Sequence, residues 1–106
     1  MKGDRLLELH RAPELLVLVN VWDVASTKVV ASLPGCQASA TASHGISATL
    51  GYDDGENIPL DEMLMMVGRI VAATDLPVTA DLEAGYGDSA ETTRRAIAVG
   101  VVGCNL

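Results

Sequence analysis

Residues Leu76-Pro77-Val78-Thr79-Ala80-Asp81-Leu82-Glu83-Ala84-Gly85-Tyr86-Gly87 run from a short apolar stretch into an acidic, glycine-rich turn. Pro77 to Ala80 reads as a buried strand. Asp81 and Glu83 then fall at its C-terminal end, where parallel α/β folds carry their sites. Positions i and i+2 of an extended strand share a face, so the two carboxylates are expected to project together. That is costly unless protons or a cation intervene. A hard divalent ion, Mg²⁺ or Mn²⁺, meets the need with oxygen ligands and retained waters. Gly85 and Gly87 permit a tight turn, and the following helix brings its N-terminus nearby. A solvated acidic loop leading into a helix cap fits the same residues. From the pattern alone both readings stand.

Working outward, strand-like and helix-like segments alternate. Leu15 to Val19 is an uninterrupted apolar run between Pro13 and Asn20, expected as a fully buried strand. Asp23 can cap a helix over Val24 to Leu33, which Pro34-Gly35 stops. Gln37 to Thr41 reads as a second strand, His44 to Leu50 as a small-residue connection or short helix, and Gly51 to Pro59 as a polar loop. Leu60 to Ala73 is the clearest helix: Leu60, Met63, Leu64, Val67, Ile70 and Val71 recur at helical spacing, with Asp61 and Glu62 favourably placed in its first turn. Asp88-Ser89-Ala90-Glu91 resembles a capping box opening a helix to about Val99. Gly100 ends it, and Val101 to Leu106 reads as a fourth strand.

The order β-α-β-α-β-α-β implies a parallel sheet with right-handed crossovers. A doubly wound open sheet and part of a (β/α)8 barrel compete. No GxGxxG follows the first strand, which counts against dinucleotide binding. A complete barrel takes about 250 residues, and the last strand is followed by no helix. The 106 residues are therefore expected to be the N-terminal half of a (β/α)8 TIM-type barrel, cut after strand 4. Such a half leaves an open edge and favours homo-oligomerisation.

With 49% hydrophobic residues the chain is no disordered polymer. One Trp, two Tyr and no Phe leave a core of aliphatic residues and Met. The net charge of −7 argues against nucleic-acid or anionic-membrane partners. No leader-like run or membrane-length apolar stretch is present, so a cytoplasmic location is expected. Cys36 and Cys104 form no CxxC pattern and are expected as two buried free thiols.

The run from Leu76 to Gly87 resembles the third-strand signature of the isocitrate lyase/phosphoenolpyruvate mutase superfamily, D-x-[DE]-x-G-[YW]-G. Three other stretches resemble that family in order and spacing: Val19-Asn20-Val21-Trp22-Asp23-Val24-Ala25-Ser26, Thr41-Ala42-Ser43 through Leu50-Gly51-Tyr52-Asp53-Asp54, and Gly100-Val101-Val102-Gly103-Cys104-Asn105-Leu106. The resemblance implies a Mg²⁺-dependent (or Mn²⁺-dependent) lyase or mutase that breaks C–C or P–C bonds in a small 2-oxo or 2-hydroxy carboxylic acid. It implies that Asp81 is the direct metal ligand and that Glu83 and Asp54 hold metal-bound waters, with Asp81 and Glu83 serving the chemistry. Ala42, Ser43 and His44 would lie where the substrate's carboxylate or phosphonate binds. Ala42 stands where the mutases have a Ser hydroxyl, which disfavours phosphonate mutase activity. A further metal-shell Glu and the family's gating loop would both fall after Leu106. The alternative expectation is a catalytically inactive, truncated remnant that self-associates.

Other residues read as structural. His10 is expected at the surface, Trp22 as packing or a pocket wall, Met63, Met65 and Met66 as core, and Arg94 and Arg95 as solvated. No GxSxG elbow surrounds Ser26, Ser43 or Ser47.

Overall fold

The computed structural model describes residues 1–106. Helix α1 (Lys2–Arg11) precedes four βα-type strands: β1 (Val19–Val21), β2 (Ser39–Thr41), β3 (Val78–Asp81) and β4 (Gly103–Asn105). Helix α2 (Val24–Ala31) joins the first two, α3 (Ser43–Thr49) and α4 (Leu60–Ala72) the second and third, and α5 (Ser89–Ala98) the last two. All neighbouring strands pair parallel in the order β1-β2-β3-β4. A doubly wound sheet reverses its strand order at a switch point. This sheet winds one way throughout, which decides for barrel-type winding.

The register sets the faces. Asn20, Ala40, Thr79 and Gly103 are aligned neighbours across the sheet, as are Ala80 with Cys104 and Val21 with Thr41. Alternation then puts a small and polar row on one face. Val21, Val78 and Ala80 on the other join the main core, to which α4 contributes Met63, Leu64, Met66, Val67 and Ile70. A second cluster packs Leu6 and Leu9 of α1 against Ala38, with Leu16, Leu18 and Val102 alongside. Ala38, Leu18 and Val102 each precede a strand, so α1 covers the end of the sheet opposite Asp81.

Local signals explain the helix starts. Asp23 Oδ1 accepts from Ser26 N–H at 2.7 Å, and Ser26 Oγ accepts from Asp23 N–H at 3.1 Å. This reciprocal box is worth about 1 kcal/mol. The box expected at Asp88 is only half made: Asp88 Oδ1 accepts from Glu91 N–H at 3.0 Å, while the Glu91 carboxylate turns to Arg94 at 3.3 Å.

Several expectations are corrected. The first strand is Val19–Val21, not Leu15–Val19; only its Val21 is buried, and before it Leu15 is 89% and Val17 68% exposed. β1 is an outer strand paired only with β2, and its register begins at Val19, so the residues before it pair with no strand. The second and fourth strands shrink to three residues each. The 51–59 loop is not simply polar, since Ile58 is fully buried within the main core. Met65 is exposed, unlike Met63 and Met66. Cys36 and Cys104 are free but only half-buried. Arg95 is not solvated alone but pairs with Asp61 of α4. No helix is long and apolar enough to cross a membrane.

Candidate functional site

Asp81 closes β3 at the C-terminal end of the sheet. Its N–H donates to Thr41 Oγ1 at 3.2 Å. Its Oδ2 accepts from Ser43 Oγ at 2.7 Å, and its Oδ1 accepts from Glu83 N–H at 2.9 Å. Ser43 is the first residue of α3 and is nearly buried. The Asp81 carboxylate thus ties the start of α3 to the turn after β3, while its backbone N–H ties in the end of β2.

Glu83 reaches the site by a different route from the expected one. The strand stops at Asp81, Leu82 is fully buried, and Glu83 has φ 54°, in the left-handed region. The two carboxylates are therefore not alternate side chains of one strand. The Asp81 side chain caps the turn instead, as Asp does when it bonds a backbone N–H two residues on. Glu83 Oε1 accepts from Glu56 N–H at 3.1 Å, and Oε2 accepts from Tyr86 Oη at 3.2 Å. Thr92 Oγ1 donates to Gly85 O at 2.8 Å, tethering the turn to α5.

Tyr86 reports the potential of this region. Its hydroxyl is pushed well above its ordinary pKa, first by burial and then by the negative charges of Glu83, Glu56 and Asp81. At neutral pH it stays protonated, and its single O–H is shared between two acceptors, Glu83 Oε2 and Ile58 O, each at 3.2 Å. Tyr52, likewise raised, chiefly by its 2.5 Å hydrogen bond to Glu62, fastens the loop to α4.

The other anticipated residues are less gathered. Ala42 N-caps α3 and its N–H already donates to Val21 O at 2.9 Å. The amides of Ser43 and His44 remain in the helix's first turn, where intrahelical acceptors are absent. His44 Nδ1 lies 3.5 Å from Asp54 Oδ2, both side chains mostly exposed. Asp54, Asp81 and Glu83 are not assembled into one cluster, and no three His, Cys, Asp or Glu side chains form a metal-sized group. Asp81 and Glu83 nevertheless suit a hard cation: each oxygen accepts one hydrogen bond and keeps a lone pair. Trp22 follows β1 directly and packs on Gly45 of α3, where an added Cβ would lie 2.7 Å from Trp22 Cβ. Glu56 carried no signal in the sequence, because its contacts join loops 27 and 28 residues apart.

A one-way parallel sheet with its acidic turn on the C-terminal strand ends defines the N-terminal half of a (β/α)8 barrel of the kind that builds its site there. The chain belongs to the phosphoenolpyruvate phosphomutase family, whose model matches residues 6–106. It is 30% identical over 91 residues to 2,3-dimethylmalate lyase of Eubacterium barkeri, an alignment covering 85% of this chain and 31% of that protein. Among solved structures it is similar to a Burkholderia cenocepacia J2315 protein provisionally described as a phosphonomutase, at 50% identity and a TM-score of 0.93, covering 99% of this chain and 44% of that one. It is also similar to oxaloacetate acetylhydrolase, at 28% identity and a TM-score of 0.89, covering 99% and 39%. The chain spans less than half the length of each of these proteins. The superfamily resemblance read from the four motifs and the half-barrel expectation both hold.

Proposed function

We propose that this chain carries the metal-binding half of a lyase- or mutase-type site for a small 2-oxo or 2-hydroxy carboxylic acid. Asp81 is the direct ligand of Mg²⁺ or Mn²⁺, and Glu83 and Asp54 act through water. The observation that supports this most is the 2.7 Å hydrogen bond from Ser43 Oγ to Asp81 Oδ2. It joins two stretches 38 residues apart, the substrate turn and the acidic turn. The free amides at Ser43 and His44 offer donors to a carboxylate, while Asp81 faces the neighbouring oxygen. When bound, the divalent ion supplies stabilisation of negative charge developing on the substrate's oxygen. Ala42 brings no hydroxyl to the turn, which favours C–C over P–C chemistry.

The test uses oxalate, a planar dicarboxylate that mimics an enolate of a 2-oxo acid. Calorimetric titration is expected to show oxalate binding in the presence of Mn²⁺ and none without it. Equal binding with and without Mn²⁺ would sink the reading.

One observation favours a second reading, self-association without catalysis. Val19 of the outer strand β1 and Leu15 and Val17 just before it have exposed apolar side chains, and Leu106 beside β4 is also exposed. Edges of this kind invite strand pairing with another chain. Light scattering after gel filtration of the 106-residue chain is expected to give at least a dimer. A monodisperse monomer would reject it.

A further inference from the structure

We infer that Glu56 is a positioning residue of this site: its carboxylate clasps the acidic turn so that its own N–H can hold the Glu83 carboxylate in place. The inference rests on the metal-site reading above for its purpose, but its geometry stands independently. Glu56 Oε2 accepts from Ala84 N–H at 2.8 Å, and Glu56 N–H donates to Glu83 Oε1 at 3.1 Å. The two bonds run in opposite directions between the same pair of loops, so each loop supplies one donor and one acceptor. Tyr86 Oη adds a third strut by donating to Ile58 O.

Backbone strain marks the same place. The chain has three non-glycine residues with positive φ, Glu56 at 62°, Glu83 at 54° and Tyr86 at 54°. All three lie in these two loops. A left-handed conformation is unfavourable for such residues and persists where surrounding contacts hold it. Here the clasp is what holds it. Buried Ile58 anchors the far side of the 51–59 loop in the main core, so Glu56 is presented from a fixed base.

In this tie the Glu56 side chain serves as a hydrogen-bond acceptor, and its charge is not what the clasp uses. A neutral side chain would accept from Ala84 N–H equally well. The arrangement orients Glu83 before a cation arrives, as partners around a metal's ligands do.

The experiment compares Glu56→Ala and Glu56→Gln with wild type in the 106-residue chain, reading Mn²⁺ affinity and amide hydrogen exchange at positions 56 and 84. Glu56→Ala is expected to weaken Mn²⁺ binding about tenfold, within the range for lost outer-sphere partners. It is also expected to speed exchange at both amides roughly tenfold, the scale of one charge-assisted hydrogen bond. Glu56→Gln, whose Oε1 still accepts from Ala84, is expected to restore both within a few-fold. If Glu56→Ala leaves affinity and exchange unchanged, the proposal is overturned. If Glu56→Gln is as weak as Glu56→Ala in Mn²⁺ binding, the charge itself is required and the positioning role is overturned. Should wild type bind no Mn²⁺, the metal reading fails separately, and the exchange data still decide. Loss at position 56 in Glu56→Ala with rescue in Glu56→Gln supports the clasp, and any other pattern rejects it.

Discussion

Asp81→Ala is expected to cut Mn²⁺ affinity roughly 100-fold or more, because losing even an outer-sphere partner costs about 10–100-fold. The same change removes the acceptor for Ser43 Oγ and for Glu83 N–H. Ser43 is nearly buried, so its hydroxyl loses its partner away from water, at a cost of about 1–3 kcal/mol. Asp81→Asn separates the two effects. The amide oxygen still accepts one of the hydrogen bonds, but the charge that holds a cation is gone. Asp81→Asn should therefore melt close to wild type and yet bind Mn²⁺ as poorly as Asp81→Ala. A titration in which Asp81→Ala matches wild type would remove Asp81 as a ligand, whatever the stabilities show.

The largest effect on stability is expected from Gly85→Ala. Gly85 has φ 88°, and a Cβ there would lie 2.4 Å from Ser89 Oγ, 3.0 Å from Ser89 Cβ and 3.2 Å from Ser89 Cα. The Oγ can rotate away, but the Cα belongs to the first turn of α5 and cannot. Left-handed strain costs about 1–3 kcal/mol, and overpacking against a fixed backbone adds about 1–3 kcal/mol. Together they should lower the thermal midpoint by roughly 10 °C or more. Gly87→Ala is the internal control, with φ 81° and open space around its Cβ. It should suffer the strain alone. Equal melting of the two variants would mean that the close approach of the turn to α5 contributes nothing.

The fold was readable where one segment carried its own pattern. α4 shows a helical repeat from Leu60 to Val71 and lies within one residue of where that repeat puts it. The Asp23 and Asp88 caps and the Gly100 stop are local signals, and they hold. The strands were less readable. Leu15 to Val19 has the composition of a buried strand, yet pairing is decided by a neighbour, and β2 reaches only Val19.

The site divides along the same line. The Asp81-to-Gly87 motif announced itself, and its place at a strand end was correct. The manner of its assembly was hidden. Alternation along a strand cannot anticipate a left-handed Glu83, because that conformation is held by Glu56 across the gap between two loops. Ser43 lies in the stretch whose family resemblance implies a substrate turn, while its hydroxyl's bond to Asp81 is a long-range fact that spacing does not encode. Asp54 stands beside His44, a pairing set by how the loop folds over α3.

The scarcity of aromatic residues has a practical meaning once their positions are known. Trp22 follows β1, Tyr52 lies in the loop that leads to α4, and Tyr86 sits in the acidic turn. With no Phe in the chain, these three are its entire complement of aromatic side chains. The aliphatic core is optically silent in the near ultraviolet, and every chromophore stands at the end of the sheet where ligands would arrive. Absorption, fluorescence and near-ultraviolet dichroism of the unlabelled chain thus view one end of the molecule and are blind to the other.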